Sequence, residues 1–439
     1  MENNTNSEKF KNGKYIYDII AEIVNATGPR FPTTEEEKYG AELLAKKMEN
    51  ELGVKAISEP FKCAPKASIG FVPCLGWIGF AALVAFYLTP IAGLILACTA
   101  LIFAVFQVFT YSGILDVFFK KRPSQNVYAT VPSKTEKPAF TIMLSGHIDS
   151  SWCWKLSLKN PKTMALKTVM GILAVSLIAI VSLVLIIFGA TSVMFIPNEV
   201  FKNGSVNITY LILYLLPILS IPGCYWLSNY MTWKKSMGSP GAMDNMSGCA
   251  VAISVNKYFN EHPEEKPDNV RIISCGHGCE EAGLKGSEAF CKAHKDDKEF
   301  FNEHLYVINL DSFRDGDHFE AIKEDTWLFS KFDEDLINMT LDSIEEQGIK
   351  SNCIPNPVGG CDSTPYYRSN VRTVTIAAQD PRPTNYYHTP NDRLDGLSLE
   401  VLDQAHDIIV RLCKKIFEFE KNNQEPYQRT TGENFTRKK

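Results

Sequence analysis

The chain reads Ser239-Pro-Gly-Ala-Met-Asp-Asn-Met-Ser-Gly248 immediately before an apolar run, residues 248–259, that has the pattern of a helix. A carboxylate such as Asp244, on a loop at a helix start, is held rigidly and points outward. Pro-Gly followed by Asp-Asn is equally an ordinary turn and helix N-cap. Asp244 becomes a candidate functional residue because of the histidines and acidic residues found elsewhere along the chain.

Length and composition set the broad class of this protein. The 439 residues are enough for two or three ordinary domains, and the formal net charge of −5 predicts no nucleic-acid partner. The twelve cysteines are scattered and form no C-x-x-C pair, which predicts free thiols and a reducing compartment. No charged segment followed by an apolar one opens the chain, so we expect no cleavable signal peptide.

Long stretches without a charged residue interrupt this otherwise polar sequence: residues 69–115, 168–198 and 206–233. The first is long enough for two bilayer-spanning helices of about 20 residues each, with the turn at Thr89-Pro90. The third contains Pro217 and Pro222, which we expect to kink it. Buried core helices of a large soluble domain are the alternative. The three stretches together hold four candidate helices in two pairs. Uncharged segments of this length favour two transmembrane hairpins.

The remaining sequence alternates between strand and helix patterns. Short runs rich in branched residues fit buried strands at residues 140–144, 270–274, 305–310 and 371–377. Helical patterns cover residues 10–25, 34–52, 248–259, 284–294, 334–347 and 398–421. This alternation predicts an α/β fold with a mixed, mostly parallel central sheet flanked by helices.

The predicted organisation is one soluble domain interrupted by two membrane hairpins. The domain consists of residues 1–66, 120–164 and 234–424, and the hairpins are residues 67–119 and 165–233. The polar segment 425–439 is predicted to be a disordered tail. In such folds ligands bind at the carboxyl ends of the strands.

Histidines and carboxylates follow the predicted strands at those ends: His147 and Asp149, Glu280 and Glu281, Asp311, and His388 in a later loop. His147 and Asp149 are two positions apart and face the same way, so Asp149 can orient the imidazole. Of two adjacent glutamates, one can bind a metal while the other faces a water. Each fragment alone has a structural explanation, such as an N-cap or a solvated pair. Together they form a donor set suited to zinc, and two metals would need a bridging carboxylate, for which Asp244 is the natural candidate.

The soluble domain resembles the zinc aminopeptidases of peptidase family M28. The similarity covers the motifs from Gly28-Pro-Arg30 to Asp395, including Gly283 and Gly286-Ser287 of the Glu-Glu-x-Gly-x-x-Gly-Ser pattern. It implies two Zn²⁺ per chain, one bound by His147 and Asp311, the other by Glu281 and His388, and both by Asp244. It further implies that Glu280 is the general base, that Asp149 supports the site, and that the Asp244–Asn245 peptide bond is cis. Most relatives lack the membrane hairpins.

The resemblance implies a membrane-anchored aminopeptidase that hydrolyses N-terminal residues from peptides through a water bridging two zinc ions. Its partners would be a peptide with a free N-terminus and the lipid bilayer. Residues 359–367 and 379–387 are the candidate substrate-facing loops. Two alternatives remain open: a zinc transferase similar to glutaminyl cyclases, which share this scaffold, and a non-catalytic membrane interaction protein. The second would be expected to have lost ligands, and none is lost here.

Charge near the apolar segments predicts a cell-membrane protein whose catalytic domain faces the cytoplasm. Lysines and arginines flank the hairpins on the domain side: Lys62, Lys66, Lys120, Lys121, Arg122, Lys155, Lys159, Lys162, Lys167, Lys234 and Lys235. The opposite side has Lys202 alone, and such flanking charges stay cytoplasmic. The outward segments would be the Thr89-Pro90 turn and residues 197–207, which contain sequons at Asn203 and Asn207.

Overall fold

A mixed sheet of nine strands, counted over the residues that the structure describes, forms the centre of the molecule. The structure is a computed structural model, and it describes residues 9–189, 200, 205–356 and 359–437. The strands are β1 (Ala56–Cys63), β2 (Arg122–Val131), β3 (Phe140–His147), β4 (Val270–His277), β5 (Leu305–Phe313), β6 (Phe319–Asp325), β7 (Ser330–Lys331), β8 (Asn352–Pro355) and β9 (Arg372–Ala378).

The strand order is β1-β2-β4-β3-β5-β9-β6-β7, and β8 pairs with β6. The four central strands, β4, β3, β5 and β9, are parallel, whereas β1, β2, β6 and β7 add antiparallel pairs toward the two sides. Each central strand was predicted as a short branched run, and all four are almost completely buried, as strands covered on both faces must be. The predicted mixed, mostly parallel α/β sheet is confirmed.

Helices cover both faces of this sheet. They are α1 (Lys11–Thr27), α2 (Glu35–Leu52), α5 (Lys155–Lys159), α9 (Gly248–Glu261), α10 (Lys285–His294), α11 (Glu334–Glu345), α12 (Ser363–Arg368) and α13 (Leu399–Lys421); α3, α4 and α6 to α8 belong to the apolar segments described below. On one face α1, α2, α9, α11 and α13 form a single large apolar core with the strands. On the other face a smaller cluster joins Phe290 of α10 and Tyr366 of α12 to Met143 and Ile273.

The ends of α2 illustrate how local sequence sets the helix boundaries. The Thr34 side chain accepts a hydrogen bond from the Glu37 N–H, and the helix stops at Gly53, which has the left-handed conformation of a C-terminal cap. The Glu37 carboxylate also accepts a bond from the Thr33 N–H at 2.6 Å. Thr34 is therefore the N-cap of this helix.

The apolar segments form helices α3 (Val72–Leu88), α4 (Pro90–Phe103), α6 (Met164–Ile187), α7 (Ile208–Leu215) and α8 (Ile221–Ser228). With short flanking turns they make four spans, within the described ranges, that are long and apolar enough to cross a membrane: 69–88, 90–109, 161–187 and 208–228. The first pair turns at Thr89-Pro90, and α7 gives way to α8 through a 3₁₀ segment, Leu216–Ser220, that holds Pro217. The Asn203 sequon and most of the predicted outer loop lie outside the described residues, whereas Asn207 caps α7.

The C-terminal segment departs from the prediction. Residues 425–437 pack along α11, where the buried Asp342 carboxylate accepts hydrogen bonds from the Tyr427 hydroxyl, the Arg429 guanidinium and the Thr430 N–H. The Phe435 N–H donates to Asn338 at 2.7 Å. The predicted disordered tail is thus corrected, because the polar residues of the tail satisfy a buried carboxylate that the sequence pattern does not reveal; residues 438–439 lie outside the described range.

Candidate metal centre

The loop carrying Asp244 is held by a buried arginine and a glycine with a positive φ angle. Arg30 is fully buried and donates to four carbonyl oxygens: those of Ile148 at 2.8 Å, Pro240 at 2.8 Å, Gly241 at 2.9 Å and Gly28 at 3.2 Å. Gly241 has φ +65°, and a Cβ there would lie 2.7 Å from Arg30 Nη2. Only glycine fits this turn, so the turn fixes where Asp244 enters the site.

The backbone around Asp244 is anchored on both sides. The Asp392 carboxylate accepts hydrogen bonds from the Met243 N–H at 2.8 Å and the Asp244 N–H at 3.1 Å. Asn245 donates through Nδ2 to the Leu310 carbonyl at 2.8 Å, which ties the loop to β5. The Asp244–Asn245 peptide bond is cis, as predicted.

The two oxygens of the Asp244 carboxylate face two different histidines. Oδ1 lies 3.1 Å from His147 Nε2, and Oδ2 lies 2.9 Å from His388 Nε2. His388 Nε2 is also 3.2 Å from Glu281 Oε1. Donor atoms form two groups, His147–Asp244–Asp311 and Asp244–Glu281–His388, each within 4.8 Å. All five predicted ligands are therefore brought together, and Asp244 belongs to both groups.

Asp149 supports this cluster through a different atom from the one that spacing indicates. His147 Nδ1 lies 3.1 Å from the backbone carbonyl oxygen of Asp149 and 3.6 Å from its carboxylate. The carboxylate instead accepts hydrogen bonds from the N–H groups of Glu280 at 2.9 Å and Glu281 at 3.0 Å. Asp149 thus orients the imidazole through its backbone and positions the pair of glutamates through its side chain.

A cavity of about 120 Å³ opens in front of the cluster. Glu280 lines it together with His147, Asp244, Asp311 and His388. Both loops expected to face a substrate contribute to its wall, through Gly360 and Cys361 in the first and residues 379–384 and Tyr387 in the second. The Glu280 side chain is half-buried and reaches the cavity that holds the donor atoms.

Burial and mutual repulsion dominate the electrostatics of the acidic residues. Burial raises the pKa of Glu280 well above its ordinary value, and it raises the pKa of Asp311 to about 6 and that of Glu281 in the same direction. Burial acts in the same sense on Asp244, but contacts with the two histidines outweigh it and lower the pKa of that carboxyl. Four carboxyl groups thus lie close together in a site that is largely shielded from water, where the charged form of each is unfavourable without a compensating positive charge.

The two histidines respond to that negative charge. Burial lowers the pKa of His388, but the charge of Glu281 and the contact with Asp244 outweigh burial and raise it to about 10. Burial likewise lowers the pKa of His147, and the charge of Glu280 with the contacts to Asp149 and Asp244 raises it well above the ordinary value. The surrounding carboxylates therefore favour positive charge at this position, and a bound cation would supply it.

The cluster fits a divalent metal such as zinc by its donor chemistry. Asp244 Oδ2 and Glu281 Oε1 are buried and make no hydrogen bond within the described part of the chain, although His388 lies close to both. Buried polar atoms without a partner are rare in stable proteins, and imidazole with carboxylate donors is a ligand set that zinc prefers. These unpaired atoms are the observation that supports a metal site.

Residues beside the apolar spans contact this centre. Trp154 packs edge-on against the His388 ring with centroids 4.2 Å apart, and Tyr387 stacks on the same ring at 3.8 Å. Tyr111, which follows the span at residues 90–109, is buried against Gly283 and Leu284 next to the two glutamates. Met164, the first residue of α6, lines the cavity. The segments that join the apolar spans to the α/β domain therefore form part of the wall of this centre.

Comparison with known proteins finds a family match for the C-terminal half of the chain, which contains all the candidate ligands except His147. Residues 229–413, with Asp244, Glu280, Glu281, Asp311 and His388, match the family model described as Peptidase family M28. Over these residues the chain is similar to that family. Aminopeptidase YwaD of Bacillus subtilis (strain 168) is 29% identical over 178 residues, which are 39% of this chain and 36% of that relative. The match thus spans about a third of the relative's length.

Solved structures show that the similarity of fold extends beyond the matched M28 segment. A zinc aminopeptidase from Bacillus subtilis superposes with a TM-score of 0.53 at 15% identity, covering 92% of this chain and 95% of that one. An aminopeptidase from Aneurinibacillus sp. strain AM-1 gives 0.51 at 14% identity, covering 94% and 96%. A glutaminyl cyclase from an Acidobacteriales bacterium gives 0.50 at 13% identity, covering 93% and 95%. At these identities the likeness concerns the fold alone.

Four buried charged residues around the centre were not assigned roles from the sequence: Arg30, Glu37, Asp362 and Asp392. Besides its bond near the start of α2, Glu37 accepts hydrogen bonds from the Cys279 N–H and the Ser124 hydroxyl next to the paired glutamates. Asp362 accepts a bond from Ser287 while its Oδ2 has no partner among the described residues. Of these four, only Asp392 could have been singled out from the sequence, because it follows His388 by four positions in the same polar loop.

Proposed function

We propose that this chain is a membrane-anchored aminopeptidase that uses two Zn²⁺ ions to hydrolyse the N-terminal residue of peptides. The observation that carries the proposal is the Asp244 carboxylate, whose two oxygens face His147 and His388 from two donor groups. A carboxylate shared in this way is what a pair of metal ions a few ångströms apart requires. The M28 match and the names of the similar proteins support the reaction class.

Each residue of the centre has a proposed role in this reaction. His147 and Asp311 would hold one ion, Glu281 and His388 the other, and Asp244 both. Zinc bound here would polarise the scissile carbonyl and acidify a bound water. Glu280 would accept the proton of the attacking water and deliver it to the leaving amine. Asp149 would hold the backbone of the two glutamates, so the base and its neighbour keep a fixed separation.

The proposed reaction is tested by turnover on a panel of aminoacyl-amide reporters, measured before and after a chelator and again after zinc is returned. We expect hydrolysis of reporters with a free α-amine, loss of activity with the chelator, and recovery with zinc. N-acetylated reporters are the matched control and should not be cleaved. Activity that is indifferent to the chelator would contradict a zinc mechanism.

A glutaminyl-cyclase-like transferase is the second candidate, because a glutaminyl cyclase is among the proteins with this fold. The two reactions give different products from a peptide with an N-terminal glutamine. A cyclase would cyclise that residue with loss of ammonia, whereas an aminopeptidase would release it as a free amino acid. Mass analysis of a Gln-initiated peptide separates the two reactions. Two complete donor groups sharing Asp244 favour the two-metal hydrolase.

The proposed membrane attachment is supported by the outer faces of the apolar helices. Large apolar side chains point away from the protein on these helices, with Ile95 and Ile180 each 60% exposed and Leu219 68% exposed. Exposed apolar surface of this extent is costly in water and suits lipid. We therefore propose hairpins at residues 67–119 and 165–233, inserted in a domain of residues 1–66, 120–164 and 234–424.

The proposed orientation places the catalytic domain in the cytoplasm, because the Lys and Arg residues beside the spans are concentrated on the domain side. We expect a membrane-impermeant thiol reagent to label Ser205→Cys in intact cells, since Ser205 is exposed between the spans of the second hairpin. Glu136→Cys, on the exposed surface of the domain, should be labelled only after the cells are opened. The signal is measured over that of the parent chain. The reverse pattern would contradict the orientation.

A further inference from the structure

A buried carboxylate that is not a candidate ligand lines the same cavity. Glu320 on β6 is 3% exposed and lines the same cavity as Asp244, Asp311 and His388. It is not adjacent in sequence to any proposed ligand, and the proposed reaction has no use for it. A carboxylate that faces a substrate cavity without a role in the chemistry is a candidate for recognising the substrate.

The register of the sheet determines how far Glu320 is from the metal ligands. Asp311 pairs with Ala377 across β5 and β9, and Ala377 pairs with Glu320 across β9 and β6. Residues directly opposite each other project from the same face of a sheet, so Asp311 and Glu320 point into the cavity together. Two inter-strand steps separate their Cα atoms by roughly 10 Å. A side chain extending from a residue bound at the metal centre can reach across that distance only if it is long.

The Glu320 carboxylate has no adequate partner in the described part of the chain. No hydrogen bond is made to it there, and its nearest basic neighbour, His318 Nδ1, is 4.0 Å away. Asp380, a second acidic residue that lines the cavity, is already paired with Arg382 at 2.6 Å. The Arg382 side chain is 77% exposed. Burying a carboxylate without a donor or a counter-charge is costly, so a ligand that supplies both would be favoured.

The electrostatic environment agrees with this geometry. Burial, with the nearby charge of Asp380, raises the pKa of Glu320 to about 8. A cation brought close would favour the ionised form of the group. Ile322 and Ala377, which also line the cavity beside Glu320, offer an apolar path for the methylene stem of a long basic side chain.

We propose that Glu320 binds the side chain of a basic N-terminal residue, so that peptides beginning with lysine or arginine are the preferred substrates. This inference rests on the proposed aminopeptidase function, because the substrate's α-amine must sit at the metal centre for its side chain to point at Glu320. The ammonium or guanidinium group would donate to the Glu320 carboxylate and neutralise it.

The first test compares kcat/KM on lysyl, arginyl, leucyl and alanyl reporters for the wild type, Glu320→Gln and Glu324→Gln. We expect Glu320→Gln to lose at least about 30-fold on the two basic reporters and less than about threefold on the two apolar ones, as removal of one partner of a buried charge pair predicts. Glu324 lies on the same strand outside the cavity, and its variant should match the wild type. Equal losses on all four reporters would show that Glu320 holds the common α-amine or the fold, and would overturn the proposal.

The second test does not depend on turnover. Thermal unfolding of the zinc-loaded protein is followed with lysinamide and with leucinamide, for the wild type and Glu320→Gln. Lysinamide should raise the melting temperature of the wild type more than leucinamide does, and this difference should vanish in the variant. If no reporter is cleaved but lysinamide still stabilises selectively, the aminopeptidase function fails while recognition by Glu320 holds. Equal stabilisation by both amides would refute the recognition itself.

Discussion

Replacing Glu280 by glutamine is expected to lower kcat on any cleaved aminoacyl reporter by at least ~10³-fold. Acid–base assistance typically contributes ~10²–10⁴-fold. The variant keeps the size of the side chain but removes the group that accepts the proton of the attacking water. Zinc content should stay unchanged, because Glu280 belongs to neither of the two donor groups. Steady-state kinetics and metal analysis of the same preparation measure both effects.

The matched control is Glu288→Gln, which makes the same chemical change on the first turns of α10, where Glu288 is exposed and contacts Lys285. Its activity should equal that of the wild type. Activity of Glu280→Gln within tenfold of the wild type, with zinc retained, would exclude Glu280 as the base.

Removing the shared carboxylate is expected to have the second large effect. Asp244→Ala should lower the occupancy of both zinc positions and abolish measurable turnover, because its two oxygens face the ligands of both groups. His388→Ala should lose mainly one ion, since His388 belongs to one group alone. Metal analysis after dialysis against a weak chelator, together with circular dichroism to establish folding, measures the difference.

Two further variants define this experiment. Asp244→Asn keeps the volume of the side chain and so separates loss of metal from loss of packing. Asp268→Ala removes an exposed carboxylate that pairs with Lys134 on the surface, and it should retain both ions. Full zinc loading of a folded Asp244→Ala variant would contradict the bridging role.

The central part of the fold could be predicted from sequence because its strands are buried on both faces. The strands β3, β4, β5 and β9 are short runs rich in branched apolar residues, and polar residues lie at or just after the end of each strand. The strands β1 and β2 were missed, because β1 contains Glu59, Pro60 and Lys62 and is exposed along most of its length. A strand with one wet face carries only a weak apolar pattern, and its place is decided by pairing with distant residues.

The candidate ligands could be predicted because metal chemistry restricts residue type, and because parallel strands end at one edge of the sheet. The residues that hold those ligands were not predictable in the same way. Arg30 acts on carbonyls more than a hundred positions away along the chain, and Asp392 acts on the N–H of Asp244. Such partners have no fixed spacing, so only the folded chain reveals them. Glu320 is another such residue, because the sheet register brings it level with Asp311 from two strands away.

Zinc stoichiometry of the purified chain distinguishes a two-metal centre from a one-metal centre. The protein is stripped with a chelator, titrated with zinc, and analysed for bound metal per chain while hydrolysis of an aminoacyl reporter is followed in parallel. We expect two zinc ions per chain, with full activity reached only as the second ion binds. Saturation at one zinc per chain, with full activity at that point, would contradict a two-metal centre bridged by Asp244.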